Sequence, residues 1–368
     1  MITSTNDENN KESIHQTNDL AQRSDILFIY DSRMANPNGD PDDNRPRIDP
    51  YSRINLVTDY RLKRTIRDYI LNYYGNESPE NPNKIFMRQV TDNEKNIKGI
   101  EDLAIDFIDN EILKDDKGNE IKDGKGKQKT IKDVRKEDIF KNYIDVRLFG
   151  LMFLVSGISF KTLGPVQFSI GTSLNIPEEI LIRNTRIIPT KKKAKSGSFG
   201  EKSILKYSLI LFHGFINQIA AKKTLLTEDD IMKMMIGMWY GTNDLSTSSK
   251  YGQTSRFMLR IIYSDENGYI GDLDRNITLK NDSKENIEDI SQAQINMTNL
   301  FTKLQKNKLL IKELQFACYP DLNIFINEEE KDLKEYIEEW SKTNEIKCLN
   351  ILTHQEIVKN NNNTLHGL

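Results

Sequence analysis

Three carboxylates, Asp40, Asp42 and Asp43, stand between two asparagines, Asn36 and Asn38, and two arginines, Arg45 and Arg47. Acids clustered in this way can hold Mg²⁺ for phosphodiester cleavage. They can equally cap turns and pair with the arginines beside them. The asparagines and arginines suit phosphate oxygens or base edges. The prolines and glycine of Asn36-Pro37-Asn38-Gly39-Asp40-Pro41 stiffen the backbone that carries them. Arg61, Lys63 and Arg64 follow a short way downstream. Further on, Lys191, Lys192, Lys193 and Lys195 precede Ser196-Gly197-Ser198-Phe199-Gly200, which on composition alone is a flexible lysine-rich loop.

The elements around these residues give the polar loop an address. Asp25 to Asp31 is continuously apolar between its end acids, as a buried central strand would be. Val57 to Tyr74 repeats Leu62, Ile66, Tyr69, Ile70 and Tyr73 at helical spacing, with Arg61, Lys63, Arg64 and Arg67 largely off that face. Strand, loop and helix in this order place Asn36–Asp49 at the strand's C-terminal end, where α/β folds present their sites. From Asn76 to Lys141 the periodicity weakens. Lys114 to Asp138 carries nine basic and seven acidic residues and reads as the solvated tip of an insertion, residues 76–141. Regular structure returns with Ile144–Gly150, which contains Arg147, and with strand material over Gly157–Asn175. There Val166, Phe168 and Ile170 alternate with Gln167, Ser169 and Gly171, so the strand has one small polar face.

Ile204–Phe215 is a further strand. Its His213 has no Cys or Ser nucleophile to activate and faces either the core or a ligand groove. Thr227 and Asp230 form a capping box before Ile231, Met234, Met235 and Met238. With Met232, these methionines read as core filler. That helix is expected to end near Tyr240-Gly241, before a polar loop, Thr242–Arg256, and a strand, Phe257–Ser264. Leaving the insertions aside, the order is β-α-β-β-α-β, an α+β fold of the ferredoxin-like kind that RRM domains use. An RRM reads RNA through aromatics in its RNP1 segment, and no such segment is present, so binding falls to backbone contacts and loops. The expected organisation is a disordered stretch at 1–24, the palm at 25–264 and a C-terminal extension at 265–358. The palm is interrupted at 76–141 and 184–203, the extension carries one acidic helix, and 359–368 is a tail.

Among the 368 residues the net charge is −3, yet the charges segregate. Arg33–Arg67 holds eight Lys/Arg against five Asp, and Arg186–Lys206 seven against one acid, whereas Glu328–Trp340 has seven acids and two lysines. Local distribution of this kind matters more for nucleic acid than the sum. Cys318 and Cys348 make no disulfide framework and match no zinc spacing, and no cofactor motif is present. The polar N-terminus has no apolar core of a signal peptide, and no run is long enough to span a bilayer. A soluble, cytoplasmic protein is expected.

Several of these segments carry a resemblance. Asn36–Asp49 contains NPNGDP and RPRID. Val57–Tyr69 reads VTD-x-RLKR-x-IRDY. Gly164-Pro165-Val166-Gln167-Phe168-Ser169 and His213-Gly214-Phe215 follow, and Gly241–Arg256 matches a GTN…SK-x-GQ…R pattern. Together they resemble the repeated backbone subunit of type I CRISPR Cascade complexes, a member of the RAMP superfamily, most like its subtype I-B form. The resemblance spans about Asp25 to Ser264. It implies a non-catalytic subunit that binds CRISPR RNA without a cofactor or metal and joins copies of itself head to tail in a helical filament. It further implies contact with the large subunit and the end-capping RAMP subunits, and with target DNA by way of the guide. RNA contacts would come from Asn36, Asn38, Arg45, Arg47, Arg61, Lys63, Arg64, Arg147, Gln167, Ser169, His213, Lys250 and Arg256. Lys191, Lys192, Lys193 and Lys195 would lie on the thumb, a basic β-hairpin that folds over the guide and wedges between nucleotides. In type III relatives an Asp near the first loop cleaves target RNA, which makes a metal-dependent ribonuclease the rival reading. A monomeric single-strand RNA chaperone is a third.

The two roles of the carboxylates separate in one assay. Incubated with labelled RNA and Mg²⁺, the pure protein is expected to leave the RNA intact, as are the Asp40→Ala, Asp42→Ala and Asp43→Ala variants. Cutting that any one of these changes abolishes would establish the ribonuclease.

Overall fold

Strand β1 (Ser24–Ala35) grows out of the first apolar run and stays buried through Ser32. In the computed structural model, residues 19–76, 78, 80–91, 95–112, 130–155, 158–185, 199–280, 285–320 and 322–352 are described. After β1 come the short strand β2 (Leu56–Val57) and helix α1 (Asp59–Tyr73), whose N-cap Thr58 accepts the Arg61 N–H on its side chain. An interposed unit holds α2 (Ile100–Ala104), β3 (Ile108–Ile112), β4 (Thr130–Val134), α3 (Lys136–Asn142) and α4 (Ile144–Phe149). It closes with the hairpin of β5 (Gly150–Val155) and β6 (Ile158–Leu163). Next are β7 (Val166–Phe168), β8 (Gly171–Ser173), β9 (Glu179–Thr185), β10 (Phe199–Ile216), α5 (Gln218–Thr224), α6 (Glu228–Asn243) and β11 (Gln253–Tyr263). The last third adds β12 (Thr278–Leu279), β13 (Gln294–Asn296), α7 (Thr298–Lys306) and β14 (Ile311–Cys318). It ends with β15 (Asn323–Ile326), β16 (Glu329–Lys331), α8 (Leu333–Thr343) and β17 (Lys347–Asn350).

These strands make a mixed α+β fold around one central sheet, in the order β17-β14-β11-β1-β10-β8-β2, with β7 and β9 pairing other stretches of β10. Strand β1 is antiparallel to both of its neighbours, with Ser24 opposite Ile216 of β10 and Ile262 of β11. Because side chains alternate along a strand, β1 sends Ile26, Phe28 and Tyr30 to one face and Leu27 and Ile29 to the other. The first face packs on Leu62, Ile66 and Ile70 of α1 and on Ile231, Met234, Met235 and Met238 of α6. The methionines do fill core. The second face packs on the last third of the chain, including Leu300 and Leu304 of α7, Ile324 and Ile326 of β15, and Ile337 and Trp340 of α8. Both faces are therefore covered.

Several sequence-based expectations shift. Part of the stretch expected to be disordered is placed: Ala21 is fully buried and its N–H donates to the Leu226 carbonyl at 2.8 Å. Within Lys114–Asp138, residues 114–129 lie outside the described residues, but β4 and the start of α3 belong to it. They join a separate apolar cluster with Phe86, Phe140, Phe153 and Phe160. Helix α6 runs to Asn243, past Gly241, because its glycines face α1: a Cβ on Gly241 would lie 3.1 Å from Tyr69 Cβ. Tyr73, assigned to the apolar face of α1, is exposed and donates its hydroxyl to Asp244 at 3.0 Å.

Two buried arginines bind the layers together. Arg260 on β11 pairs with Glu228 at the start of α6 (2.5 Å) and donates its Nε–H to Ser24 Oγ of β1 at 3.0 Å. Arg147 on α4 pairs with Asp230 through Nε (2.8 Å) and Nη2 (2.7 Å) and donates to the carbonyls of Phe140, Lys141 and Pro82. Asp230 also closes the expected capping box, accepting the Thr227 N–H at 3.1 Å. Removing one member of a buried ion pair strands the other charge. Asp230→Ala is accordingly expected to lower stability by about 3–5 kcal/mol in urea unfolding. A shift within about 0.5 kcal/mol, the range of ordinary surface changes, would show the pair to be incidental.

Candidate nucleic-acid interface

Two motif loops about 200 residues apart in sequence meet where β1 ends. The Asn36 N–H donates to the Ser249 carbonyl at 2.8 Å, and the Arg33 N–H to the Gly252 carbonyl at 2.8 Å. Lys250 Nζ donates to the Asn36 carbonyl at 2.6 Å. Gly252 has φ +100°, and a Cβ there would fall 2.4 Å from the Arg33 carbonyl oxygen, so this junction needs glycine. Inside the first loop, Asn36 Nδ2 donates to the Asn44 carbonyl at 2.7 Å, and Gly39 bridges Pro46. Asn38 Oδ1 accepts the Thr58 hydroxyl at 3.0 Å, which pins the loop on the N-cap of α1.

The carboxylates of this loop shape it. Asp40 Oδ1 accepts the Asp42 N–H at 3.0 Å, and Asp43 Oδ1 accepts the Arg45 N–H at 2.9 Å, both Asx-type turns. Asp40 also pairs with Arg47 at 3.3 Å, and Arg45 reaches Glu179 of β9 at 3.4 Å. Among the described residues, no group of three or more His, Cys, Asp or Glu is arranged to hold a metal ion.

The basic side chains are less completely satisfied. Among the described residues, six buried side-chain polar atoms lack a hydrogen-bond partner, and five belong to this end of the sheet. They are Ser32 Oγ, Asn36 Oδ1 and the Nε atoms of Arg47, Arg61 and Arg256. A buried N–H without an acceptor is costly, and a ligand oxygen relieves that cost. Arg61 has no ion-pair partner among the described residues; burial lowers its pKa, opposed by Tyr30 nearby. Burial, with the Arg61 charge adding to it, pulls the Lys250 ammonium down to about 8. Across the sheet, Arg256 pairs with Asp31 at 2.9 Å and lies over the Tyr319 ring at 4.7 Å. Burial raises the Asp31 pKa against the pull of Arg256.

Other expected contacts lie elsewhere. Lys63 is buried against Asp59 (2.9 Å), and Arg64, exposed, pairs with Asp68 (2.8 Å). Arg147 is a correction: each of its guanidinium N–H groups has an internal acceptor in the α4–α6 contact, so none is left for a ligand. Gln167 and Ser169 are exposed at the other end of β10, with Gln167 opposite Phe215, roughly 30 Å along the strand from Leu205 beside Ala35. Lys191, Lys192, Lys193 and Lys195 lie outside the described residues. The strands flanking them, β9 and β10, pair in register from Thr185 opposite Phe199 to Glu179 opposite Leu205. The sequence reading missed Ser32, because a serine in a strand carries no signal of its own. It also missed Lys202, whose Nζ donates to Ser248 and ties β10 to the second loop.

His213 sits away from this cluster, in a polar network. Its Nε2 contacts Asp25 at 2.8 Å and its Nδ1 contacts Asp274 at 3.4 Å, while Tyr263 donates to the second oxygen of Asp25. Burial alone would lower the imidazole pKa, but hydrogen bonds and charge from Asp25 and Asp274 outweigh it and lift it to about 9. The ring is an imidazolium at neutral pH and joins β1, β10 and β11 to the last third of the chain.

The profile of the family described as "CRISPR-associated protein Cas7" matches residues 22–298. A protein of that description from Haloferax volcanii is 26% identical over 340 residues, covering 88% of this chain and 94% of its own. Similar solved structures include a chain of a "CRISPR RNA-guided surveillance complex, pre-nicking", with TM-score 0.49 and 11% identity over 83% of this chain and 96% of that one. A chain of another "CRISPR RNA-guided surveillance complex" has TM-score 0.41 and 12% identity over 80% and 88%. No helix among the described residues is long and apolar enough to cross a membrane.

The His213 network makes stability depend on alkaline pH. A histidine whose pKa rises from 6.5 to about 9 on folding contributes stability that is complete below 6.5 and lost as pH rises through about 9. Melting temperature is expected to fall between about pH 7 and pH 10, and His213→Ala to flatten that fall. An equal fall in the variant would place the titration on another group.

Proposed function

The chain belongs to the CRISPR-associated protein Cas7 family, and we propose that it is the backbone subunit of a CRISPR RNA-guided surveillance complex, binding the guide along its spacer. The observation that carries the binding reading is the set of unpartnered guanidinium Nε atoms, on Arg47, Arg61 and Arg256, around the junction of the two motif loops. They offer buried donors to phosphate oxygens. Phosphate contacts carry no sequence information, which suits a subunit that must accept any spacer. Base pairing between guide and target DNA then reads the sequence.

Finer parts of the reading have their own supports. The strand order β11-β1-β10-β8, with α1 and α6 on one face, fits an RRM-like βαββαβ palm. Its usual base-stacking face is occupied by the last third of the chain, in keeping with binding through loops. The paired β9 and β10 suit the stem of a thumb whose tip carries Lys191, Lys192, Lys193 and Lys195. The two motif loops favour the subtype I-B form. Head-to-tail contact between copies gives an open helical filament along the RNA, with the large subunit and end-capping subunits completing the assembly. The subunit is non-catalytic: the Asp40 and Asp43 carboxylates are engaged in turns, and Asp40 also pairs with Arg47.

Binding to CRISPR RNA is expected to be equal for spacers of equal length and to weaken steeply with salt, each neutralised phosphate contributing roughly −0.7 to the log–log slope. Arg61→Ala is expected to weaken all spacers alike and to make the slope shallower by about 0.7. Since phosphate favours the protonated ammonium and Lys250 titrates at about 8, affinity is also expected to fall as pH rises through that value. Fluorescence anisotropy across salt and pH reads all three. Strong preference among spacers, or a slope untouched by Arg61→Ala, would defeat this placement of the RNA.

A further inference from the structure

Beside this interface, carboxylates already sit where phosphates could. Glu285, Glu288 and Asp289 lie on a segment whose Ile287 and Ile290 are sunk in the core on the second face of the sheet. The acids meet basic side chains drawn from three parts of the chain. Glu285 pairs with Arg53 at 2.5 Å, Glu288 with Lys206, and Asp289 with Arg33 at 3.6 Å. Arg33 is near the end of β1, Arg53 lies in the turn that follows the first motif loop, its N–H donating to the Asp49 carbonyl, and Lys206 follows Leu205, which stands opposite Ala35. All three cations therefore belong to the end of the sheet that carries the arginines with unpartnered Nε atoms. Arg53, Lys206, Glu285 and Glu288 also line one cavity.

The construction has a rigid part and a loose part. Two buried isoleucines fix the backbone of the segment. The ion pairs themselves are open to water, with the Arg33 and Arg53 side chains 63% and 58% exposed. Exposed pairs contribute little and are screened by salt, so a denser line of negative charge can replace them.

We propose that Glu285–Asp289 is a carboxylate strap that occupies Arg33, Arg53 and Lys206 in the free subunit and is displaced from them by RNA phosphates. The proposal rests on the RNA-binding reading above. The strap sets a threshold: a polyanion that cannot also engage the buried arginines gains too little to displace it, so the acids act as specificity determinants by opposing the wrong ligand.

The test compares the full chain with Glu285→Gln/Glu288→Gln/Asp289→Asn by anisotropy, using a fluorescein-labelled oligouridylate over a KCl series. A control, Glu335→Gln/Glu338→Gln/Glu339→Gln on the exposed face of α8, changes net charge equally and touches none of the three cations. The strap variant is expected to bind about tenfold more tightly than wild type at one salt concentration, and the control much less so. The salt slope is expected to stay the same, because the same cations reach the RNA once the carboxylate side chains have released them. Equal gains from strap and control, or no gain, overturn the proposal. A gain with a slope steeper by about 2 also overturns it, since the strap would then stay bound in wild type. If no form of the protein binds the oligouridylate at low salt, the RNA-binding reading fails, and the strap falls with it.

Discussion

Everything in this structure follows from the burial of β1 on both sides. Its residues from Ser24 to Ser32 are inaccessible, with Ile26 and Phe28 on one face and Leu27 and Ile29 on the other. A strand of that kind demands two covers. Helices α1 and α6 supply one, and the last third of the chain supplies the other. Neither face remains for a ligand. Polar chemistry is therefore confined to the ends of the sheet and its edge, where loops leave the strands.

At those ends, arginine has two opposite uses, and its partners tell them apart. Arg147 and Arg260 are buried, and carboxylates, carbonyls and a hydroxyl meet their donors. Such residues join layers. Arg61 is half-buried with its Nε shielded from water, and it faces no carboxylate within ion-pair reach among the described residues, while Arg47 and Arg256 each keep an Nε without an acceptor. Burial without compensation is unfavourable in isolation, and it makes sense where a negative ligand completes the set. The same residue type thus serves cohesion in one place and, under the proposed function, recognition in another.

How much of this could be read beforehand depends on range. Local signals were legible: the apolar run of β1, the helical spacing of Leu62, Ile66 and Ile70, and the Thr227–Asp230 capping box all rest on neighbours a few residues apart. The Arg and Asn content of the first loop was equally visible. Arg147 was misplaced because its partner, Asp230, is 83 residues away, and nothing near Arg147 announces it. Lys63 was misplaced because its face of α1 meets Phe149 of the interposed unit, whose packing no periodicity reveals. The cover over the second face of the sheet was invisible for the same reason, being made of short elements with weak patterns such as β12, β13 and β15.

The pairing of β1 also sets a timetable. Its first residue, Ser24, has sheet partners at Ile216 and Ile262, so the strand leaves the ribosome long before either exists. At about 5–20 residues per second, the wait lasts on the order of ten seconds or more. Throughout it, a continuously apolar segment has no edge to join, and the junction of Asn36 with Ser249 cannot form. The nascent chain therefore closes the junction of its two motif loops only after Ser249 and Gly252 have been made. Until then its continuously apolar first strand has no partner to pair with, and premature release between β1 and β11 would leave a fragment prone to aggregate through it.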